Sequence, residues 1–354
     1  MRFTLRKSFQ LIKILLKAKY IIKKPKQKKI IIFDYKGAHT PYYKHFIKKD
    51  SEVLNVLGEE INIYVLFKMI INFKRINLKE YIDQYINLLK PKFIFHNAFN
   101  IRFFEVDKKN FKFNFEKIFT QSELKNHHDY EEFLRGKKNL YCDYLFVWSE
   151  GMKKLMQKNI SGKYLINGSF FNNEGPQLDL NKLENTLIFV SQYRSFKKRK
   201  FNDEIDTIRD EYHGLKFSWS QFYEADLEVA LKLKKFFKKN NIKFKIAGTS
   251  IDDKTQEKSF FSKKLDDDDW VFLESDPKKR GIYLTSNAKF IVTIDSTLGY
   301  ECFARGQRVC FFSIRPKYLN SDYAKFGWPL NLPDEGLCWT TQNTNDDFDR
   351  LTNF

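Results

Sequence analysis

Two stretches of the chain alternate short apolar runs with helical periodicity, and a polar segment separates them. In the first, Lys29–Tyr35 (KIIIFDY), Lys92–His96 (KFIFH), Tyr144–Trp148 (YLFVW) and Lys163–Ile166 read as buried strands, because continuous β-branched and aromatic runs suit a sheet covered on both faces. Leu78–Leu89 places Tyr81, Ile82, Tyr85 and Leu88/Leu89 on one face, which predicts an amphipathic helix, and a second helix is predicted over Gly151–Lys158. The second stretch repeats the scheme. Strands are predicted at Thr186–Val190, Ile242–Ala247, Trp270–Leu273, Lys289–Ile294 and Arg308–Phe312. Helices are predicted at Phe222–Lys239, Arg280–Ser286 and Thr297–Arg305. Strands alternating with helices need crossover connections, and those build parallel sheets. The predicted fold is therefore α/β, two Rossmann-like domains with parallel sheets facing a cleft. Residues 29–170 form the first and 187–354 the second. The polar stretch Phe171–Leu183, with Gly175-Pro176, makes 171–186 a linker.

Charge narrows the function classes. Among 354 residues, 63 Lys and Arg against 44 Asp and Glu leave a net charge of +19, which favours an anionic partner. No RRM, KH or OB type motif accompanies that charge, and it is spread along the chain, so nucleic acid is not the expected partner. Walker and G-x-G-x-x-G signatures are absent, as is the G-x-S-x-G elbow of serine hydrolases. Cys142, Cys302, Cys310 and Cys338 show neither CxxC nor zinc spacing, so reduced thiols in a cytoplasmic protein are expected.

The N-terminus stands apart. Residues 1–29 carry eleven Lys and Arg and no acid. Phe9, Ile12, Leu16 and Tyr20 recur at three- and four-residue steps and share a helical face. Lys13 and Lys17 interrupt the apolar run, so a spanning helix is not expected. Residues 1–28 are predicted as a basic amphipathic segment whose helix, 1–24, lies on an anionic membrane surface at the cytoplasmic face.

Ligands of open parallel sheets bind beyond the carboxyl ends of the strands. In the second domain those ends read Ser191-Gln192-Tyr193-Arg194, Gly248-Thr249-Ser250, Glu274-Ser275-Asp276 and Asp295-Ser296-Thr297-Leu298-Gly299. Ser296 or Thr297 opens a helix, where a hydroxyl and free N–H groups hold a phosphate or simply cap the helix. In the first domain, Asp34 ends a strand and His39 lies in the loop Lys36–Pro41, with His96-Asn97 after the next strand.

The segment Ser296–Val309 (STLGYECFARGQRV) resembles the donor site of GT-B glycosyltransferases. There a small-residue loop opens a helix, a Glu follows one turn in, and Ala-x-Gly-x-x-Val leads into a strand. Asp143–Ser169 resembles the closing unit of a GT-B N-terminal domain, and with Phe326-Gly327-Trp328-Pro329 the chain looks like bacterial surface carbohydrate biosynthesis proteins. The resemblance implies a metal-independent glycosyltransferase without a cofactor, moving a sugar from a nucleotide-activated donor to a capsule or lipopolysaccharide glycan or a lipid-linked acceptor. It implies that Glu301 meets the ribose, and that Ser296, Thr297 and Gly299 face the phosphate. The Glu-x7-Glu pair of many retaining enzymes is absent, since Thr293 stands where its first Glu would be. The same motif occurs in UDP-GlcNAc 2-epimerases and polyol-phosphate transferases, which are the alternative reading.

Such a transfer needs a stabilised leaving phosphate and a deprotonated acceptor hydroxyl. Arg194 and Lys197 are candidates for the first task, beside Ser191, Gly248, Ser275 and Asp276 as donor contacts. For the second, His39 has the right unperturbed pKa, with Asp34 orienting it or acting itself and His96 as the substitute. The acidic run Asp266–Asp269 is not expected to hold a metal, because adjacent carboxylates do not converge on one ion.

Overall fold

The computed structural model describes residues 18–34, 50–55, 60–97, 100–122, 130, 134, 136–137, 139–193, 207–210, 215–248, 254–265, 269–276, 281–312, 314–319 and 338–341. The chain divides into two compact units that change over between Phe170 and Phe171.

The first unit is built on a six-stranded parallel sheet. Its strands are β2 (Ile30–Asp34), β3 (Ser51–Asn55), β5 (Phe93–His96), β6 (Glu116–Thr120), β7 (Leu140–Val147) and β8 (Ile160–Ile166), in the spatial order β3-β2-β5-β6-β7-β8. Ile31, Ile32 and Phe33 of β2 are all buried, as a central parallel strand demands. A separate parallel pair joins β1 (Lys19–Ile21) to β4 (Glu60–Asn62).

The helices of this unit are α1 (Ile63–Ile71), α2 (Leu78–Leu89), α3 (Ile101–Glu105) and α4 (Glu150–Gln157). Asn77 caps α2 by accepting the Glu80 N–H at 2.9 Å, and Tyr81, Ile82, Tyr85, Ile86 and Leu89 form its buried face. Strand β6 carries a buried cation: Lys117 Nζ donates to the Phe104 and Val106 carbonyls at the end of α3. Burial lowers that amine to a pKa of about 8.

The second unit begins inside α5 (Phe170–Asn173) and holds another six-stranded parallel sheet. Its strands are β9 (Glu184–Val190), β12 (Lys243–Ala247), β13 (Trp270–Leu273), β14 (Ala288–Thr293), β15 (Arg308–Phe312) and β16 (Cys338–Thr341), ordered β13-β12-β9-β14-β15-β16. Between β9 and β12 stand an antiparallel ribbon, β10 (Thr207–Asp210) with β11 (Leu215–Ser218), and the long helix α6 (Trp219–Asn240). The remaining helices are α7 (Lys254–Leu265), α8 (Gly281–Thr285), α9 (Thr297–Ala304) and α10 (Arg315–Leu319).

Alternate strand residues feed two cores, following the period of two of an extended chain. Leu187, Phe189, Phe290, Val292, Cys310 and Phe312 pack with α6, α7 and α10. Ile188, Val190, Ile291, Val309 and Phe311 pack on the other face with Cys302 of α9 and Leu284 of α8. Cys142, Cys302 and Cys310 are buried thiols.

Two expectations need correction. The stretch 171–186 is not a free linker. Leu180 seats on Gly306, whose φ of +86° and missing side chain make room for it. Arg305 donates to the Pro176 carbonyl, and β9 already starts at Glu184. The segment is thus a strap on the second unit. Nor is Tyr20 on a helical face: Lys19–Ile21 pair in parallel with Glu60–Asn62, and Asn62 Nδ2 donates to the Lys23 carbonyl at 3.0 Å. Ladder bonds to β4 override the local spacing there. The earlier part of the predicted segment, including Phe9, Ile12 and Leu16, lies outside the described residues.

Candidate functional site

The order of the second sheet fixes where a ligand can sit. From β9 the chain proceeds outward through β12 to β13, then returns to the opposite side of β9 with β14. The reversal lies between β9 and β14, and a crevice opens at such a point beyond the carboxyl ends. Ser191-Gln192 end one flanking strand and Asp295-Ser296 the other.

Ser296 is the N-cap of α9: its Oγ accepts the Leu298 N–H at 3.3 Å, and its carbonyl accepts the Gly299 N–H at 3.0 Å. Thr293 Oγ1 locks the turn by accepting the Ser296 N–H at 3.3 Å while donating to the Val190 carbonyl at 3.2 Å. Gly299 faces the sheet. A Cβ there would lie 2.8 Å from the Phe311 ring and 2.9 Å from Thr293 Cγ2, so its smallness brings α9 close to β14 and β15. Glu301 stands one turn into α9 and is partly buried.

The other strand ends line the same edge. Ser191 is buried, and its Oγ accepts the Tyr193 N–H at 3.0 Å. Gly248 closes β12 between the Phe272 ring and the Glu257 carboxylate, which a Cβ would meet at 2.5 and 3.0 Å. Its glycine is explained by packing. Ser275 and Asp276 follow β13 and are partly buried. Arg194 and Lys197 lie outside the described residues.

The most constrained side chain at this edge is one that no motif signals. Arg315, at the start of α10, is fully buried. Its Nη1 donates to Gln192 Oε1 at 2.9 Å and to Asp295 Oδ2 at 2.5 Å, so one nitrogen ties together the two strand ends that flank the reversal. Its Nη2 donates to Asp226 Oδ2 at 2.8 Å, and the Gln192 N–H reaches Asp226 Oδ1 at 3.1 Å. The guanidinium also lies 3.8 Å from the centre of the Phe222 ring. Burial works against the charge of Arg315, but the carboxylates of Asp295 and Asp226 outweigh it and raise its pKa. Burial pushes the Asp226 carboxyl up, and the guanidinium opposes this. Asp295 Oδ1, directly before the α9 cap, is buried and hydrogen-bonds to none of the described residues.

In the first unit the order reverses between β2 and β5, which puts Asp34 and His96 at the ends of adjacent strands. His96 is enclosed, its Nδ1 2.9 Å from the Phe33 carbonyl and its ring against Phe33 and Phe103. Bonding to that carbonyl puts the proton on Nδ1. Asn97 next to it is also buried, and neither end of its amide hydrogen-bonds to a described residue. His39 lies outside the described residues. Among the described residues no three His, Cys, Asp or Glu side chains converge as a metal site.

The protein family described as "putative O-antigen biosynthesis protein" matches residues 118–354, two thirds of the chain and all of β9–β16. The chain belongs to this family. No curated protein matches it. Among solved structures it is similar to UDP-GlcNAc 2-epimerase from Neisseria meningitidis bound to UDP-GlcNAc, at 11% identity and TM-score 0.42 over 83% of this chain and 85% of that one. It is similar to S. aureus MnaA with UDP, at 12% identity and TM-score 0.43 over 82% and 81%. The wall teichoic acid polymerase TagF aligns at 12% identity and TM-score 0.45 over 94% and 81%. Within this O-antigen biosynthesis chain, Arg315, Asp295, Ser296 and Glu301 all fall in the matched region, as do the strand ends of the second unit.

Proposed function

We propose that this O-antigen biosynthesis protein is a glycosyltransferase that takes a nucleotide-activated sugar at the carboxyl ends of β9 and β14. The observation that carries the reading is the pair of strand ends joined by Arg315, with Asp295 Oδ1, an acceptor that no described residue meets, beside the capped start of α9. Family membership supports the surface-glycan context.

In this reading the α9 N-terminus and the Ser296 hydroxyl, which still has its proton to donate, receive a phosphate oxygen. Asp295 Oδ1 accepts a hydroxyl of the ligand, and Glu301 accepts from the ribose. The rigid Arg315 cluster sets the spacing of these groups before the ligand arrives, which is how fixed dipoles lower a barrier without reorganising. Arg194 and Lys197 add charge for the leaving phosphate. His39, with Asp34, takes the acceptor proton; enclosed His96 is the poorer base.

The test is a thermal-shift panel of CMP-, UDP-, GDP- and CDP-linked ligands. A ligand that binds only the folded state raises the midpoint as its concentration exceeds its Kd. One nucleotide class should stabilise the wild type and fail to stabilise Glu301→Gln. Equal, negligible shifts for all four classes would contradict the proposal.

A further inference from the structure

Helix α1 turns the usual pattern inside out. A surface helix buries its apolar stripe and shows polar residues to water. In α1, Val65 and Met69 already fill the buried side, yet the outward side carries Ile63, Phe67, Ile70 and Ile71 at steps of three and four. Phe67 and Ile70 are each 57% exposed. The apolar surface continues through Ile76 and Phe73, the latter 98% exposed, and beside α1 the strand β1 and its end expose Tyr20 and Ile22.

Phe73 is the sharpest anomaly. The Lys74 N–H reaches back to the Met69 carbonyl at 2.9 Å, closing α1 with a left-handed residue at Phe73, φ +51°. Glycine or asparagine is favoured at such a position, and a bulky aromatic is not. Among the described residues nothing rewards a phenylalanine there, since its side chain is 98% exposed.

The charge around this surface has one sign. Stretches 18–30 and 63–79 contain ten Lys and Arg and no acid. The nearest flanking acids are already in contact with lysines, Glu60 with Lys19 at 3.3 Å and Glu80 with Lys74 at 3.6 Å. Lys23, Lys24, Arg75 and Lys79 are exposed around the apolar residues.

We infer that this face of the first unit docks on an anionic lipid bilayer. Phe67, Ile70, Ile71 and Phe73 enter the boundary between headgroups and acyl chains while the surrounding cations meet lipid phosphate. Apolar insertion and basic attraction together are what interfacial binding requires. A protein partner of ordinary composition offers no reason for ten Lys and Arg against the two flanking acids Glu60 and Glu80, and a second copy of this surface would repel it. The surface is a folded one and does not draw on residues 1–17.

Flotation of the full chain with vesicles tests this. Phosphatidylcholine vesicles containing phosphatidylglycerol should carry the wild type at low salt, and phosphatidylcholine alone should not. The double variant Phe67→Ser/Phe73→Gly should lower the bound fraction about tenfold, since each lost aromatic removes inserted apolar area. Phe73→Gly relieves the left-handed backbone, so the single variant should lose binding with an unchanged or higher melting temperature. Wild-type protein that stays unbound, or a double variant that floats as well as wild type, would overturn the inference. So would sedimentation showing a wild-type dimer that the double variant dissociates, with no vesicle binding by either.

Discussion

Arg315 and Asp226, 89 positions apart in sequence, form an ion pair at 2.8 Å from which solvent is wholly excluded. Because the same guanidinium holds Gln192 and Asp295, this pair anchors the strand ends beside the proposed donor site. Removing one partner of a buried pair leaves the other charged and unsolvated, at about 3–5 kcal/mol. Arg315→Met should therefore lower the melting midpoint by roughly 10 °C. Arg315→Lys should not restore it, because one ammonium cannot reproduce the guanidinium fork. Differential scanning calorimetry of both variants checks this.

Gly299→Ala is expected to destabilise the second unit by about 1–3 kcal/mol, since the added methyl meets the Phe311 ring and Thr293. Ser296→Ala should cost only about 1 kcal/mol, the worth of an ordinary N-cap. Denaturant titration distinguishes the two. A larger loss at Ser296 than at Gly299 would show that the cap, not the close approach of α9, holds this turn.

Asp83 gives a pH signature in the first unit. It is buried on α2, and burial raises its pKa from 3.8 to about 6. Lys79 and Lys74 oppose that shift, as does the Asn110 amide 3.4 Å away, while Glu80 adds to it. Between these values the folded state binds more protons than the unfolded one, so this group's contribution to stability falls as pH rises from about 4 to about 6. Asp83→Asn should flatten that part of the stability profile and gain on the order of 1 kcal/mol at pH 7. A profile unchanged by the substitution would assign the slope to other groups.

For the acceptor side, His39→Ala should reduce kcat by about 10²–10⁴ with little change in donor affinity, the range for loss of a general base. His96→Ala should instead lower stability, because its ring fills a cavity beside Phe33 and Phe103. A kcat loss confined to His96→Ala would reverse these roles.

The strong local patterns were legible. Leu78–Leu89, Trp270–Leu273 and Arg308–Phe312 occupy the residues their periodicity predicts, and the Ser296 cap opens its helix as read. Strand β6 is hidden because Lys117, a residue that seldom goes inside, is one of its two buried members, with Phe119. Helix α1 was hidden because a segment apolar on every side has no stripe to read. Segment 19–21 was misread because its helical spacing competes with a ladder to a strand 41 residues away, a pairing no local window contains. Arg315 had no signal at all: its meaning lies in Gln192, 123 residues earlier, and in Asp226 and Asp295, which only the folded sheet gathers.

Sugar transfer itself is the most direct test of the central claim. The full chain is incubated with lipid-linked glycan precursors and, in parallel, CMP-, UDP- and GDP-linked sugars, and both nucleotide release and acceptor mass are measured. With one donor class, the acceptor should gain one sugar residue for each nucleotide released, and Glu301→Gln should abolish both. Recovery of an epimerised nucleotide sugar with the acceptor mass unchanged would contradict the account and make the chain an epimerase.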